Sequence, residues 1–149
     1  MKNAPLKSIA AEPETYRLEE QVGYILRQAS QRHAAIFAAR IPGDLTATQF
    51  AALAKLAELG PCSQNHLGRM TSMDGATIKG VTDRLVQRGY IEARLDPEDS
   101  RRRVLVLTPL GTEAAQSAIP AAFAITEETL EPLSPSERAE FLALLKKLR

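Results

Sequence analysis

The chain of 149 residues is 44% hydrophobic and 25% charged, with a formal net charge of +1, the composition of one ordinary globular domain long enough to bury a core. That balance excludes a disordered chain, and no apolar run reaches the roughly 18 residues a membrane helix needs. Near-neutral charge means that any nucleic-acid surface must be a local patch. A single cysteine, Cys62, excludes an internal disulfide framework, and two histidines, His33 and His66, leave little for metal catalysis, so no cofactor or metal is expected.

In chain order, residues 1–14 carry Pro5 and Pro13 and no clear period, and read as an arm. The stretch MKNAPLKSIAAEPET lacks the continuous apolar core and cleavage site of a secretory signal, so a cytoplasmic protein is expected. From Tyr16 the pattern turns helical, with Leu18, Val22, Ile25, Ala29, Ile36 and Phe37 recurring at helical spacing up to about Arg40, where IPGD stops it. Thr46 with Gln49 three residues on predicts a capping box for a second helix with an apolar stripe of Phe50, Leu53, Leu56 and Ala57, closed by Gly60 and Pro61. Ser63 caps a short third helix expected to bury Leu67 and Met70, and Asp74 caps a fourth, through Arg88, that buries Ile78, Val81 and Leu85 before Gly89 closes it.

Residues 90–95 and 103–107 read as two strands of a hairpin with the charged tip DPEDSRR between them. Thr108 and Pro109 open a fifth helix that Pro120 should kink or interrupt. SPSE at residues 134–137 is a second capping box, opening a last helix striped by Phe141, Leu144, Leu145 and Leu148. The fold class is therefore mainly α with a small β-hairpin. Short helix, turn, longer helix and hairpin is the order of a winged helix-turn-helix.

With Ile78, Val81 and Leu85 turned inward, the fourth helix presents Ala76, Lys79, Gly80 and Asp83 on its opposite face, flanked by Thr77 and Arg84. Gly80 costs about 1 kcal/mol in mid-helix relative to alanine. Packing does not demand it there; either a DNA backbone approaches closely or a surface glycine is simply tolerated beside a weak Lys79–Asp83 pair.

Residues 67–111, LGRMTSMDGATIKGVTDRLVQRGYIEARLDPEDSRRRVLVLTPLG, resemble the MarR family of bacterial regulators almost without gaps. The family's Asp-x-Arg near the wing tip corresponds to Asp99 to Arg101, and its Leu-Thr-x-x-Gly to Leu107 to Gly111. The flanking helices match too, and QVGYILRQASQRHAAIF with LTATQFAALAKLAELGPCSQNHLGRM is similar to the subgroup that represses nicotinic acid catabolism and is released by hydroxynicotinic acid.

This resemblance implies one domain over residues 1–149, with dimerisation helices in 1–44 and 109–149 around a DNA-binding region at 45–108. It implies a homodimer, because the terminal stripes need a partner, and an inverted-repeat operator in double-stranded DNA. The DNA-binding residues would be Ala76, Thr77, Lys79, Gly80 and Arg84 on the fourth helix and Asp99, Arg101 and Arg102 at the wing, with Asp99 aiming Arg101 at a minor groove. The alternative is a solvated hairpin carrying ordinary surface pairs.

The implied effector is a small aromatic carboxylate, with 6-hydroxynicotinic acid the best match. Its ring would stack near Phe37, its carboxylate would meet Arg40 or His33, and Gln49 would read a ring substituent; the alternative is a satisfied interfacial histidine at His33 beside a solvated Arg40. Cys62 reads either as an oxidant-sensing thiol or as a buried, inert one, and no cation adjoins it in sequence to lower its pKa. His66 either touches a phosphate or is merely exposed. The rival functions are thiol-redox control through Cys62 and a winged-helix protein-interaction module. An enzyme is not expected, for there is no nucleophile and base pair, phosphate-binding glycine loop or metal cluster.

Overall fold

The computed structural model describes residues 14–149, so the arm and the segment weighed as a secretory signal lie almost wholly outside the described residues. The first helix starts later than its pattern. Leu18–Glu20 is a 3-10 turn, Gln21 is extended, and α1 runs Val22–Arg40. The Gln21 amide closes on the Leu18 carbonyl at 3.0 Å and its side chain donates to the Arg17 carbonyl at 2.9 Å, which satisfies this turn before the helix begins.

Pro42 then holds Ile41 extended and ends α1. In the 3-10 turn Pro42–Asp44, Gly43 and Asp44 both take left-handed conformations, with φ of 74° and 50°. The capping box of Thr46 and Gln49 opens α2, Ala47–Leu59.

After Gly60 the chain turns back through Cys62, which exchanges two backbone hydrogen bonds with Leu105, at 3.3 and 2.7 Å. Helices α3, Gln64–Met70, and α4, Gly75–Gln87, follow, capped by Ser63 and Asp74 as expected. Met70, expected in the core, is 43% exposed. Gly68 faces inward instead, where a Cβ would already stand 3.1 Å from Ile78 Cγ2, and this close approach turns the end of α3 away from the core.

Strands β1, Ile91–Leu95, and β2, Arg103–Leu107, pair antiparallel with Ile91 opposite Leu107 and Ala93 opposite Leu105. The first strand begins at Ile91 rather than Tyr90. With Gly89 left-handed at φ 75°, the Tyr90 amide folds back onto the Leu85 carbonyl at 3.0 Å, so it belongs to the helix closure and not to the ladder.

Helix α5, Pro109–Leu130, runs unbroken through Pro120, contrary to the expected interruption. The buried Ala115 and Ala118 on one side of the proline and Ile125 on the other hold both halves against α1 and α2, while the proline itself stays exposed. Helix α6, Pro135–Lys146, buries none of its residues.

The core lies where α2, α3, α4 and the hairpin meet. Leu53, Leu67, Ile78, Leu85 and Ile91 are fully buried there, each contributing about 1.5–3 kcal/mol. This arrangement is a winged helix-turn-helix from α2 to β2, with α1, α5 and α6 outside it.

The base of the wing is joined to α5 by one close approach. Thr108 caps α5 and donates from its hydroxyl to the Gly89 carbonyl at 2.5 Å, its amide donates to the Tyr90 carbonyl at 3.0 Å, and a Cβ on Gly111 would fall 1.8 Å from that same Tyr90 oxygen. The contact is backbone against backbone, with no flexible group to give way. Gly111→Ala is therefore expected to destabilise the fold by about 3 kcal/mol or more. Denaturant unfolding at matched protein concentration checks it, and an unchanged midpoint would contradict the junction.

Candidate nucleic-acid interface and effector region

Helix α4 buries Ile78, Val81, Thr82 and Leu85, and leaves Ala76, Thr77, Lys79, Gly80, Asp83 and Arg84 exposed on its other side. A Cβ at Gly80 would have nothing within 4 Å, so no packing within the subunit requires a glycine at this point. The Asp74 carboxylate receives the Thr77 amide at 2.7 Å, and hydrogen bonds from Thr77 hold its pKa below the usual carboxylate value. That capping is complete near neutral pH and is lost only as pH falls through the lowered value. Lys79 donates to Asp83 at 2.8 Å, and this hydrogen bond raises its pKa, so its charge is already partnered on the exposed face.

At the wing tip the acids organise the arginines. Asp99 Oδ1 accepts from the Arg101 backbone amide at 3.0 Å and from the Arg101 guanidinium at 3.3 Å. The Asp99 carbonyl accepts from the Arg102 amide at 2.9 Å, the Arg102 carbonyl from the Asp96 amide at 2.9 Å, and Asp96 Oδ1 from the Glu98 amide at 2.9 Å. The Arg101 side chain remains 90% exposed. One carboxylate thus fixes the backbone and direction of a cation that otherwise stands in solvent, and Arg102 and Arg103 are exposed beside it.

The residues expected to hold an effector are distributed. His33 lines a cleft of about 330 Å³ between α1, α5 and α6, with Nδ1 2.8 Å from the Thr129 hydroxyl. Phe37 stands edge-on to Phe50, ring centres 6.2 Å apart. Arg40 forms an ion pair with Glu128 of α5. Gln49 is turned inward and buried, its carbonyl oxygen accepting from the Thr46 amide at 3.2 Å and from Arg88 at 3.3 Å.

Sequence reasoning missed the α5 side of this region, Glu128 and Thr129, because nothing local marks which α5 residues will face α1. It also missed Arg32, whose guanidinium caps the end of α5 through the Glu128 and Thr129 carbonyls at 2.9 and 2.7 Å.

His66 is half-exposed. Cys62 is half-buried, and burial pushes its thiol above the ordinary value, away from the reactive thiolate. Among the described residues no group of three or more histidine, cysteine or acidic side chains is placed to hold a metal, and no helix is long and apolar enough to cross a membrane.

Comparison with known proteins places this architecture. The model of the MarR family matches residues 45–103, which take in α2 to the start of β2. The chain is 40% identical over 134 residues to the HTH-type transcriptional repressor NicR of Pseudomonas putida, covering 89% of this chain and 85% of that protein. Among solved structures, a probable transcriptional regulator from Pseudomonas aeruginosa superposes with a TM-score of 0.86 at 50% identity, covering 89% of this chain and all of that one. BpsR of Bordetella bronchiseptica, whose DNA binding is regulated by 6-hydroxynicotinic acid, superposes with a TM-score of 0.85 at 40% identity, covering 91% of this chain and 97% of the other. With a winged helix-turn-helix, a charged wing and relatives matched over most of their length, the chain belongs to the MarR family and is a transcriptional regulator, not an enzyme.

Proposed function

We propose that the protein is a homodimeric repressor that binds an inverted-repeat operator in double-stranded DNA and is released by a small aromatic carboxylate, with 6-hydroxynicotinic acid the first candidate. The observation that carries the DNA reading is the pairing of two surfaces: the α4 face that opens at Gly80 and the wing where Asp99 holds an exposed Arg101. In this reading α4 enters the major groove, with Ala76, Thr77, Lys79, Gly80 and Arg84 at its surface, and Arg101, beside Arg102, reaches the minor groove.

Residues 45–108 form the reading unit, and residues 1–44 and 109–149 the dimerisation region. The apolar surface supports that division. Helix α6 buries nothing within its own subunit, Phe141, Leu144, Leu145 and Leu148 are exposed along it, and Val22 and Ile25 of α1 are exposed too. A helix of 12 residues is marginal in water by itself, and a second subunit supplies the missing packing.

The likeness to NicR and BpsR supports a hydroxylated pyridine carboxylate as effector. Its carboxylate takes the place of Glu128 on Arg40, and its ring packs between His33 and Phe37. A ligand that favours a reading-head spacing unsuited to the operator then lowers operator affinity by that preference alone.

Two experiments test this function. Arg101→Ala is expected to weaken operator binding by roughly 1–3 kcal/mol and flatten its salt dependence, whereas Gly80→Phe abolishes specific binding without loss of fold; wild-type operator affinity in both would remove the assigned surface. Arg40→Ala and His33→Ala are each expected to bind operator normally yet to need at least about tenfold more 6-hydroxynicotinic acid for release, the scale of a charge-assisted hydrogen bond lost. Release at the wild-type ligand concentration in both variants would move the effector site away from α1.

A further inference from the structure

At the carboxyl end of α4, Arg88 gathers partners from three separate segments. Its guanidinium donates to the Gly43 carbonyl, to the Asp44 carbonyl at 3.4 Å, to Gln49 Oε1 at 3.3 Å and to the Tyr90 hydroxyl at 3.2 Å, and it lies 4.8 Å from the centre of the Tyr90 ring. The two carbonyls converge where Gly43 and Asp44 are both left-handed, a conformation that outside glycine is uncommon and is taken mainly by residues such as aspartate and asparagine. Gln49 Oε1 is the same atom that completes the capping box of α2. One side chain therefore ties the last turn of the reading helix to the turn that ends α1, to the first turn of α2 and to the root of the wing.

Nothing in the DNA-facing surface explains this arrangement. Four acceptors surround the guanidinium, Arg88 is half-buried, and it lies beyond the exposed face of α4 described above. A planar fork can meet acceptors on several sides at once, which an ammonium cannot do with the same geometry. We propose that Arg88 is a positioning residue, which sets the seating of the reading helix against the turn at residues 42–44 and so joins the orientation of α4 to the outer helix α1. The inference rests on α4 being the reading helix.

A positioning role separates from a structural or direct DNA role by which duplex is affected. Phosphate contacts hold any sequence, whereas base contacts need the helix correctly seated. The probes are a duplex selected by the wild-type protein from a random-sequence pool and a scrambled duplex, each titrated over a range of salt. Arg88→Met and Arg88→Lys are both expected to lose roughly tenfold or more on the selected duplex, the scale of a charge-assisted network lost. They keep wild-type affinity for the scrambled duplex and the wild-type salt slope. Tyr90→Phe, which retains the ring and removes one acceptor, loses affinity in the same direction by less.

The proposal is overturned if Arg88→Lys binds the selected duplex like wild type, because charge alone then suffices. It is equally overturned if both duplexes weaken together with a salt slope shallower by about 0.9, the signature of one lost phosphate contact. Should Arg88→Met fail to fold by circular dichroism, Tyr90→Phe decides, and wild-type affinity in that variant overturns the proposal. Gly80→Phe serves as the control for the reading helix. Loss of selective binding there, with none in the Arg88 variants, sinks the positioning role alone, and retention in all of them sinks the assignment of α4 as the reading helix.

Discussion

The contact between Gly111 and the Tyr90 carbonyl decides how the two parts of this molecule relate. At one point the chain closes α4, starts the first wing strand and begins α5, and the three share Gly89, Tyr90 and Thr108. A backbone oxygen pressed against a Cα leaves α5 little freedom to tilt away from the wing. Motion of α5 must therefore carry the wing and α4 with it. Arg88 adds a second tie, from the end of α4 to the turn that ends α1. A winged unit tied at two points to α5 and to the end of α1 moves with them as one body, which is what the proposed change of spacing between two reading heads would require.

The charge distribution follows the same economy. A chain of net charge +1 cannot attract DNA through a global field. It concentrates arginines at the wing and uses acids to direct them, with Asp99 serving Arg101 while the backbone between Asp96 and Arg102 closes the tip. In the outer helices an acid plays a different part, because Glu128 neutralises Arg40. Under the proposed function an anionic ligand would exchange one carboxylate for another on Arg40, so the net cost of desolvating the arginine would be smaller than for a bare cation.

Much of the fold was legible from local chemistry. The capping boxes at Thr46 and Ser134, the Asp74 and Thr108 caps, Gly60 and Gly89 as helix ends, and the bounds of β2 all follow from side chains acting on backbone groups a few residues away. The departures arose where distant packing overrode that chemistry. Periodicity placed Met70 inward, but Gly68 takes the inner position because Ile78 must come close. Propensity allowed Pro120 either to kink or to interrupt the helix, and with burial on both sides of it α5 is not interrupted. The exposed face of α4 and the paired acids and arginines of the wing tip were readable as surfaces because one helix or one turn displays them. The surroundings of Arg40 and Gln49 were not, since Glu128 and Arg88 arrive from elements 88 and 39 residues away.

The central claim is that two copies of this chain hold two reading helices at a separation matched to DNA and altered by the effector. Pulsed electron resonance between spin labels measures it directly, using Val86→Cys on the exposed end of α4 in a Cys62→Ser background. On operator DNA the account predicts one narrow distance compatible with successive major grooves about 34 Å apart. Adding 6-hydroxynicotinic acid to the free protein should move that distance to a different value. A protein that shows no distance between subunits on operator DNA, or the same distribution with and without a ligand that releases it, would contradict the account.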